Sequence, residues 1–282
     1  MNRAKLRQNI AFTVLGLTTL LVVVPTLLVL YYVISHGWNA ISWEFLTAMP
    51  RNGMKEGGIY PAIIGTVLLI TGTMAFSLPF GILSAIYLVE YARDTMFTRL
   101  IKLSVVNLSG IPSIVYGLFG FTLFVVFMHF GASILAGSLT LAIMSLPVII
   151  TATKEALEAV PMAYREISLS LGATRWQTVR HCVLPYSVPG ILTGTVLSLS
   201  RAAGETAPIL FTVAAFYLPR LPHSMFDQVM ALPYHLYVIS TQVPNVPEKF
   251  SFGTGLVLIA LVCLMNLVSI ILRSHFRKKK QW

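Results

Sequence analysis

Charge is scarce in this 282-residue sequence, and most of it is basic. Only 11% of residues are Asp, Glu, Lys or Arg, whereas 56% are hydrophobic, and the formal net charge is +10. The two cysteines, Cys182 and Cys263, fall in unrelated segments, so no disulfide or metal framework is predicted. The six histidines are scattered and lack zinc-ligand spacing. This balance excludes a soluble globule and is typical of a polytopic membrane protein.

Catalytic motifs are also missing. The sequence has no Gly-x-x-x-x-Gly-Lys-Ser/Thr phosphate loop, so this chain is not expected to hydrolyse ATP itself. It has neither a nucleophile elbow nor a His-Glu-x-x-His zinc motif. We therefore expect a non-enzymatic protein that binds no metal or cofactor of its own.

Long apolar runs dominate what is present. Six of them can each cross a hydrocarbon core of roughly 30 Å, and they lie at about 10–34, 60–89, 103–130, 134–152, 188–217 and 252–272. The predicted fold is all-α, with six transmembrane helices and a kink at Pro-Phe-Gly, residues 79–81, in the second. We divide the chain into an N-terminal span with an external loop, residues 1–59, and a core, residues 60–282.

The basic residues predict the orientation. With both termini in the cytoplasm, fifteen of the 20 Lys and Arg residues lie in cytoplasmic segments, and only Arg51, Lys55, Arg220 and Lys249 lie outside. This is the positive-inside pattern, which explains the net charge without nucleic acid. The segment between the fourth and fifth spans is therefore expected to be cytoplasmic.

That segment, residues 161–185, is polar and predicts two short helices around a tight corner. Pro161 suits the first turn of a helix, and Gly172 suits a left-handed C-cap. Thr174 and Gln177 have the spacing of a capping box for the second helix. This helix is expected to end near Leu184, because the residue before a proline disfavours helical angles.

The same stretch resembles the EAA loop of ABC-importer permeases, which reads Glu-small-small, three residues, Gly, nine residues, aliphatic, any residue, Leu-Pro. Ile167 and Cys182 depart from that pattern, while its spacing and its glycine are intact. The resemblance implies a type I importer fold whose cytoplasmic coupling helix docks in a cleft of an ATPase subunit. The residues that it assigns to ATPase coupling are Glu166, Ser168, Gly172, Ala173, Leu184 and Pro185.

Two ionisable residues interrupt the fifth apolar run. Arg201 and Glu205 are four residues apart and would share one face of a helix. Charges at bilayer depth are costly unless they are paired or line a wet cavity. Arg201 and Glu205 therefore either hold two helices together as an ion pair or, as we favour, place the guanidinium of Arg201 in the path of an anionic substrate.

Two other patterns lie in the membrane. Small residues repeat every fourth position from Gly190 to Ala202, which predicts close helix packing at a subunit seam or, equally, inside the bundle. In the third run, Gly110 and Pro112 break regular helix beside Ser109 and Ser113. Their hydroxyls and freed N–H groups would suit an anion, although this motif alone favours a packing kink.

Taken together, four motifs resemble the PstA family of phosphate ABC permeases from about residue 60 onward. They are Ser-Leu-Pro-Phe-Gly at 77–81, the Ser-Gly-Ile-Pro-Ser-Ile-Val-Tyr-Gly-Leu run at 109–118, the EAA loop and Arg-Ala-Ala-Gly-Glu-Thr-Ala-Pro at 201–208. The resemblance implies a bacterial inner-membrane protein that forms a heterodimer with the sister permease PstC. Two copies of the ATPase PstB, which bind ATP and Mg, and the periplasmic phosphate-binding protein PstS would complete the importer.

The family's membrane-embedded Arg and Glu residues are linked to phosphate passage, and this implication applies here to Arg201 and Glu205. Two alternatives stay open from the residues. One is a permease for another oxyanion, such as sulfate, molybdate or phosphonate. The other is an ion-coupled secondary transporter or a membrane-embedded enzyme, which would need more buried titratable groups than Glu205.

Overall fold

The structure is a computed structural model that describes residues 3–278, and it is mostly helical. Within that range, in chain order, the α-helices are α1 (Arg3–Gly37), α2 (Trp43–Thr47), α3 (Tyr60–Ile86), α4 (Met96–Ser109), α5 (Ser113–Gly120), α6 (Ile134–Glu158), α7 (Met162–Ser170), α8 (Arg175–Thr178), α9 (Leu184–Gly204), α10 (Ala207–Thr212), α11 (Leu232–Thr241) and α12 (Glu248–Lys278). The last part of the basic C-terminal tail, from residue 279, lies outside the described residues.

The number of membrane spans agrees with the sequence. Among the described residues, five helical stretches, built on α1, α3, α6, α9 and α12, are long and apolar enough to cross a membrane. The pair α4 and α5 makes a sixth if it is taken as one span, although the two helices are bent by 107°. The predicted break at Gly110 and Pro112 is confirmed, because α4 ends at Ser109 and α5 begins at Ser113, whereas helix begins at Met96 and so earlier than the predicted start of this span near residue 103.

Proline chemistry explains how this break is tolerated. Pro112 has no N–H, so it cannot donate to the carbonyl of Leu108 as a helical residue at its position would. That carbonyl instead accepts from the Tyr116 hydroxyl at 2.7 Å and from the Ile111 N–H at 3.2 Å. The sharp bend therefore leaves this backbone oxygen satisfied without water, as a membrane interior requires.

The fifth span differs from its prediction at both ends. The helix does not stop near Leu184, because a π-helical turn, Val179–Val183, joins α8 to α9. The Leu184 N–H bonds the Val179 carbonyl, so the hydrogen-bond register is already shifted when Pro185 enters the first turn of α9. At the other end the helix stops at Gly204 rather than near residue 217, and the short α10 follows.

Helix α6 lies at the centre and packs against α3, α4, α5, α9 and α10. The small-residue stripe of α9 faces it: a Cβ on Gly194 would lie 2.1 Å from the Ala152 Cβ, and a Cβ on Gly190 would lie 2.5 Å from the Ala156 Cβ. The Ser198 hydroxyl donates to the Ser145 carbonyl at 3.4 Å. Of the two readings of this stripe, close packing inside the bundle is therefore the one that the structure supports.

Both of the long segments predicted to lie outside the membrane carry structure. The first contains α2 and a two-stranded hairpin, β1 (Pro50–Arg51) with β2 (Glu56–Gly57). The second contains α11, whose Leu232 and Val238 are fully buried against Phe45 and Ile59 of the first segment. The sequence did not predict α11, because its Pro-rich and aromatic composition is typical of a loop.

Helix α1 is the least covered element. It packs along α12, where Tyr32 and His36 contact the ring of Phe252, and a Cβ on Gly37 would meet the Phe252 carbonyl at 2.6 Å. Nevertheless none of the most apolar stretch of α1 is buried inside the chain. Its large apolar side chains therefore face lipid or other subunits.

The tight α6–α9 contact predicts a destabilised Gly194→Ala variant. The added methyl group would overlap Ala152, which is short and rigid, so the two helices must separate at a cost of about 1–3 kcal/mol in unfolding free energy. Gly16→Ala on α1 is the matched control, since nothing lies within 4 Å of its Cβ position. We expect a lower Tm in detergent for Gly194→Ala alone, and equal Tm values for the two variants would contradict the packing.

Burial of His235 in α11 predicts a loss of stability in acid. This side chain is 3% exposed, and burial lowers its pKa from 6.5 to about 4. Between these values the unfolded chain binds a proton that the folded chain does not, so stability falls by about 3 kcal/mol as the pH falls through that window. We expect His235→Phe to flatten the dependence of Tm on pH between 6.5 and 4, and parallel curves for the two proteins would refute this assignment.

Candidate functional site

The predicted ion pair forms at the end of α9. The Arg201 Nε donates to the Glu205 Oε1 at 3.1 Å, and the two side chains are 48% and 15% exposed. Sequence analysis placed the pair in the middle of a helix, but the backbone leaves the helix at Glu205, whose φ and ψ are −74° and 129°. Arg201 is therefore in the last helical turn, where a cation is favoured by the helix carbonyls.

Glu205 lies where several helices meet. It lines a very small, partly open pocket together with Thr66 and Leu69 of α3, Leu141 of α6, and Ile209 of α10. The Glu205 side chain is thus largely covered by the surrounding helices, whereas the Arg201 side chain is about half exposed. The pair presents one accessible cation that is held in place by a less accessible anion.

The broken third span and the Arg201 segment are brought together. Helix α5 packs against α10 so closely that a Cβ on Gly117 would lie 2.9 Å from the Ala207 carbonyl. The buried ring of Tyr116 packs in the same apolar cluster as Leu69, Leu141 and Ile209, which line the pocket of Glu205. Two motifs that are about 90 residues apart in sequence therefore form one polar site, with Tyr116 as a member that sequence analysis missed.

The two predicted serines flank the break. The Ser109 hydroxyl donates to the Val106 carbonyl of its own helix at 2.6 Å. Ser113 is half-buried and begins α5 directly after Pro112. Their role as ligands of an anion stays a prediction. The signal for Tyr116 was present in the sequence, since a phenol four residues after a proline can replace the missing hydrogen bond at the break.

The corner between α7 and α8, in the segment predicted to be cytoplasmic, has the predicted geometry. Gly172 has a φ of +81° between α7 and α8, as expected for a left-handed C-cap. The Thr174 N–H donates to the Gln177 side chain at 2.8 Å, and the Gln177 N–H donates to the Thr174 hydroxyl at 3.3 Å, which completes the capping box. Ser168 also bonds the Thr178 hydroxyl at 2.9 Å, which ties α7 to α8. Pro161 lies one position before the helix, at the N-cap.

The predicted coupling residues lie on a surface with unusual apolar exposure. Glu166 and Gly172 are exposed, while Ser168, Ala173, Leu184 and Pro185 are half-buried. Large apolar side chains around them are also exposed, and they are Met162, Ile167, Leu169, Leu171 and Trp176. Apolar side chains grouped on an otherwise polar segment are typical of a protein-binding surface.

One buried ion pair of the same region was not predicted. Arg165 of α7 binds Glu90, which lies in a π-helical turn, Tyr87–Tyr91, at the end of α3. The residues are 75 positions apart, and no local pattern links them. Sequence analysis counted Arg165 only as one of the basic residues that set the orientation.

Comparison with known proteins places this architecture in a family. The family described as binding-protein-dependent transport system inner membrane component matches residues 77–282. The probable ABC transporter permease protein YqgI of Bacillus subtilis (strain 168) is 31% identical over 99% of each chain. The phosphate transport system permease protein PstA 1 of Mycobacterium tuberculosis (strain ATCC 25618 / H37Rv) is 34% identical over 99% of this chain and 91% of that protein.

Solved structures agree at the level of the fold. A chain of a bacterial alginate ABC transporter, in complex with an alginate pentasaccharide-bound periplasmic protein, superposes with a TM-score of 0.69. The match covers 95% of this chain and 94% of that chain at 14% identity. The expected type I importer permease fold is confirmed. The chain belongs to the inner membrane component family of binding-protein-dependent transport systems.

Proposed function

We propose that this chain is the transmembrane permease subunit of an ATP-driven importer that moves inorganic phosphate across the bacterial inner membrane. Both termini are cytoplasmic in this proposal, in keeping with the basic residues. The partners are a sister permease of the PstC type, two copies of a PstB-type ATPase and a PstS-type periplasmic binding protein. Relatives named as phosphate permeases, which match nearly the whole chain, support the substrate.

The single observation that carries the proposal is the half-exposed Arg201 side chain in the last turn of α9, paired with the less exposed Glu205. A guanidinium offers parallel N–H donors to the oxygens of a tetrahedral anion. Arg201 would bind phosphate as it passes, and Glu205 would hold the cation while the pathway is empty. Ser109 and Ser113 would add hydroxyls from the broken third span.

Phosphate and sulfate differ in a way that this site can use. Near neutral pH phosphate keeps at least one proton, which the Glu205 carboxylate can accept in a hydrogen bond. Sulfate has no such proton, so the carboxylate only repels it. The pair therefore favours phosphate over sulfate, and competitive uptake of the two anions distinguishes a phosphate permease from a sulfate permease.

Energy for transport would enter through the corner between α7 and α8. ATP binding closes the two ATPase subunits, which draws the docked coupling segments together and turns the paired permeases outward to accept phosphate. The exposed side chains of Ile167, Leu171 and Trp176 supply the apolar part of this contact. This chain binds no cofactor in the proposal, and ATP and Mg belong to the ATPase.

Arg201→Gln tests the pathway. We expect phosphate uptake to be lost while the importer still assembles, because glutamine keeps a polar side chain but is shorter and lacks the charge and the guanidinium donors. Arg220→Gln is the control, since Arg220 is exposed and lies outside the spans. Uptake of labelled phosphate and co-purification of the partners are measured together. Normal uptake in Arg201→Gln would remove Arg201 from the pathway.

Gly172→Val tests the coupling corner. No atom lies within 4 Å of a Cβ on Gly172, so a larger residue fits the space, but the positive φ strains a β-branched side chain by about 1–2 kcal/mol. We expect weaker association of the ATPase in a pull-down. Gly172→Asn is the matched control, because asparagine tolerates left-handed angles. Equal association of both variants would count against the coupling assignment.

A further inference from the structure

Arg165 connects three parts of the chain, namely α7 and the ends of α3 and α6, at the end of the bundle that is predicted to be cytoplasmic. Its Nε and Nη2 both donate to the Glu90 Oε1, at 3.1 and 2.8 Å, and Nε lies 3.4 Å from Oε2, so two charge-assisted hydrogen bonds converge on one carboxylate oxygen. Nη1 donates to the Val160 carbonyl at 2.8 Å, and Nη2 also donates to the Leu157 carbonyl at 2.9 Å. One side chain of α7 is thus bonded both to the end of α3 and to the end of α6.

This contact is shielded from solvent. The Arg165 and Glu90 side chains are 10% and 11% exposed, whereas the Arg99–Asp94 pair near the same end of the bundle is 67% and 69% exposed. Shielded charge pairs resist salt and hold their geometry, while exposed pairs contribute little. The contact also borders a cleft of about 560 Å³ formed by the ends of α3, α6 and α7.

Helices α3 and α6, whose ends Arg165 contacts, also border the Arg201–Glu205 pair. From Glu90, α3 and its π-helical turn run back about 30 Å to Leu69 and Ile70, at a rise of 1.5 Å per residue. Both of these side chains line the pocket of Glu205, and so does Leu141 of α6. A displacement of α7 that is passed to α3 and α6 therefore reaches the walls around the Arg201–Glu205 pair.

Two other contacts of α7 lead to α8 and α9 rather than to α3 and α6. Ser168 bonds Thr178, and the ring of Tyr164 lies 5.3 Å from the ring of Tyr186, so these contacts join α7 to α8 and α9. Without Arg165, a push on α7 would reach α9 directly, but α3 and α6 only through the packing of α9 and through the short segment that joins α6 to α7. Rotation of the bundle as one body needs all of these helices to move together.

We propose that Arg165 is a positioning residue that, through Glu90 and the Leu157 and Val160 carbonyls, transmits movement of the coupling segment to α3 and α6. This inference rests on the proposed function, because it presupposes an ATPase that moves the coupling segment. Loss of the contact uncouples ATP hydrolysis from transport without removing the surface on which the ATPase docks.

The test uses the complete importer in proteoliposomes, with the binding protein and phosphate supplied outside and ATP supplied to the ATPase. The measured quantity is phosphate imported per ATP hydrolysed, at equal amounts of assembled complex. We expect Glu90→Gln, which keeps the shape but removes the charge, to lower this ratio about five-fold or more while ATP hydrolysis continues. Asp94→Asn, which breaks the exposed pair, should leave the ratio unchanged.

A second variant, Arg165→Lys, tests the same contact in case Glu90→Gln prevents assembly of the complex. Arg165→Lys keeps the charge but loses the fork that reaches Glu90 and both carbonyls, so it should lower the ratio in the same way. A purely structural role would reduce the yield of complex and leave the ratio unchanged in both variants, which would overturn the inference. A wild-type complex that imports no phosphate with ATP would overturn the proposed function itself, and the inference with it.

Discussion

The absence of water in a bilayer interior is the constraint on which this structure depends, because backbone polar groups and charges there must find their partners within the protein. The break in the third span meets this constraint through Tyr116, whose hydroxyl bonds the Leu108 carbonyl. The end of α9 meets it through the pairing of Arg201 with Glu205. The two departures from regular helix are adjacent, so satisfying them also assembles the polar site.

Local chemistry made much of the fold predictable. Apolar length gave the six spans, and the corner at Gly172 with its capping box followed from residue types at fixed spacing. The break at Pro112 was also predicted, but the 107° bend was not, since a missing hydrogen bond specifies no angle. The early end of α9 was missed because the apolar composition continues past Glu205, while packing of α10 against α5 decides where helix stops.

The candidate site was only partly accessible from sequence. Arg201 and Glu205 stood out because charge is rare in an apolar run, and their contact needs only four residues of separation. Tyr116 and the Arg165–Glu90 contact depend on which helices become neighbours, and that information lies in tertiary packing. Structural relatives at 14% identity reproduce the architecture, whereas the residues of the polar site belong to the sequence motifs.

The uncovered side of Arg201 has a consequence for the life of the subunit before it joins a complex. A solitary copy in the bilayer would turn a permanent cation, together with the bare apolar length of α1, toward whatever surrounds it. Exposure of that guanidinium to hydrocarbon costs free energy, so a solitary chain is less stable in the bilayer. A surface that covers this side of the bundle would remove that cost, so burial of Arg201 against another chain would stabilise this one.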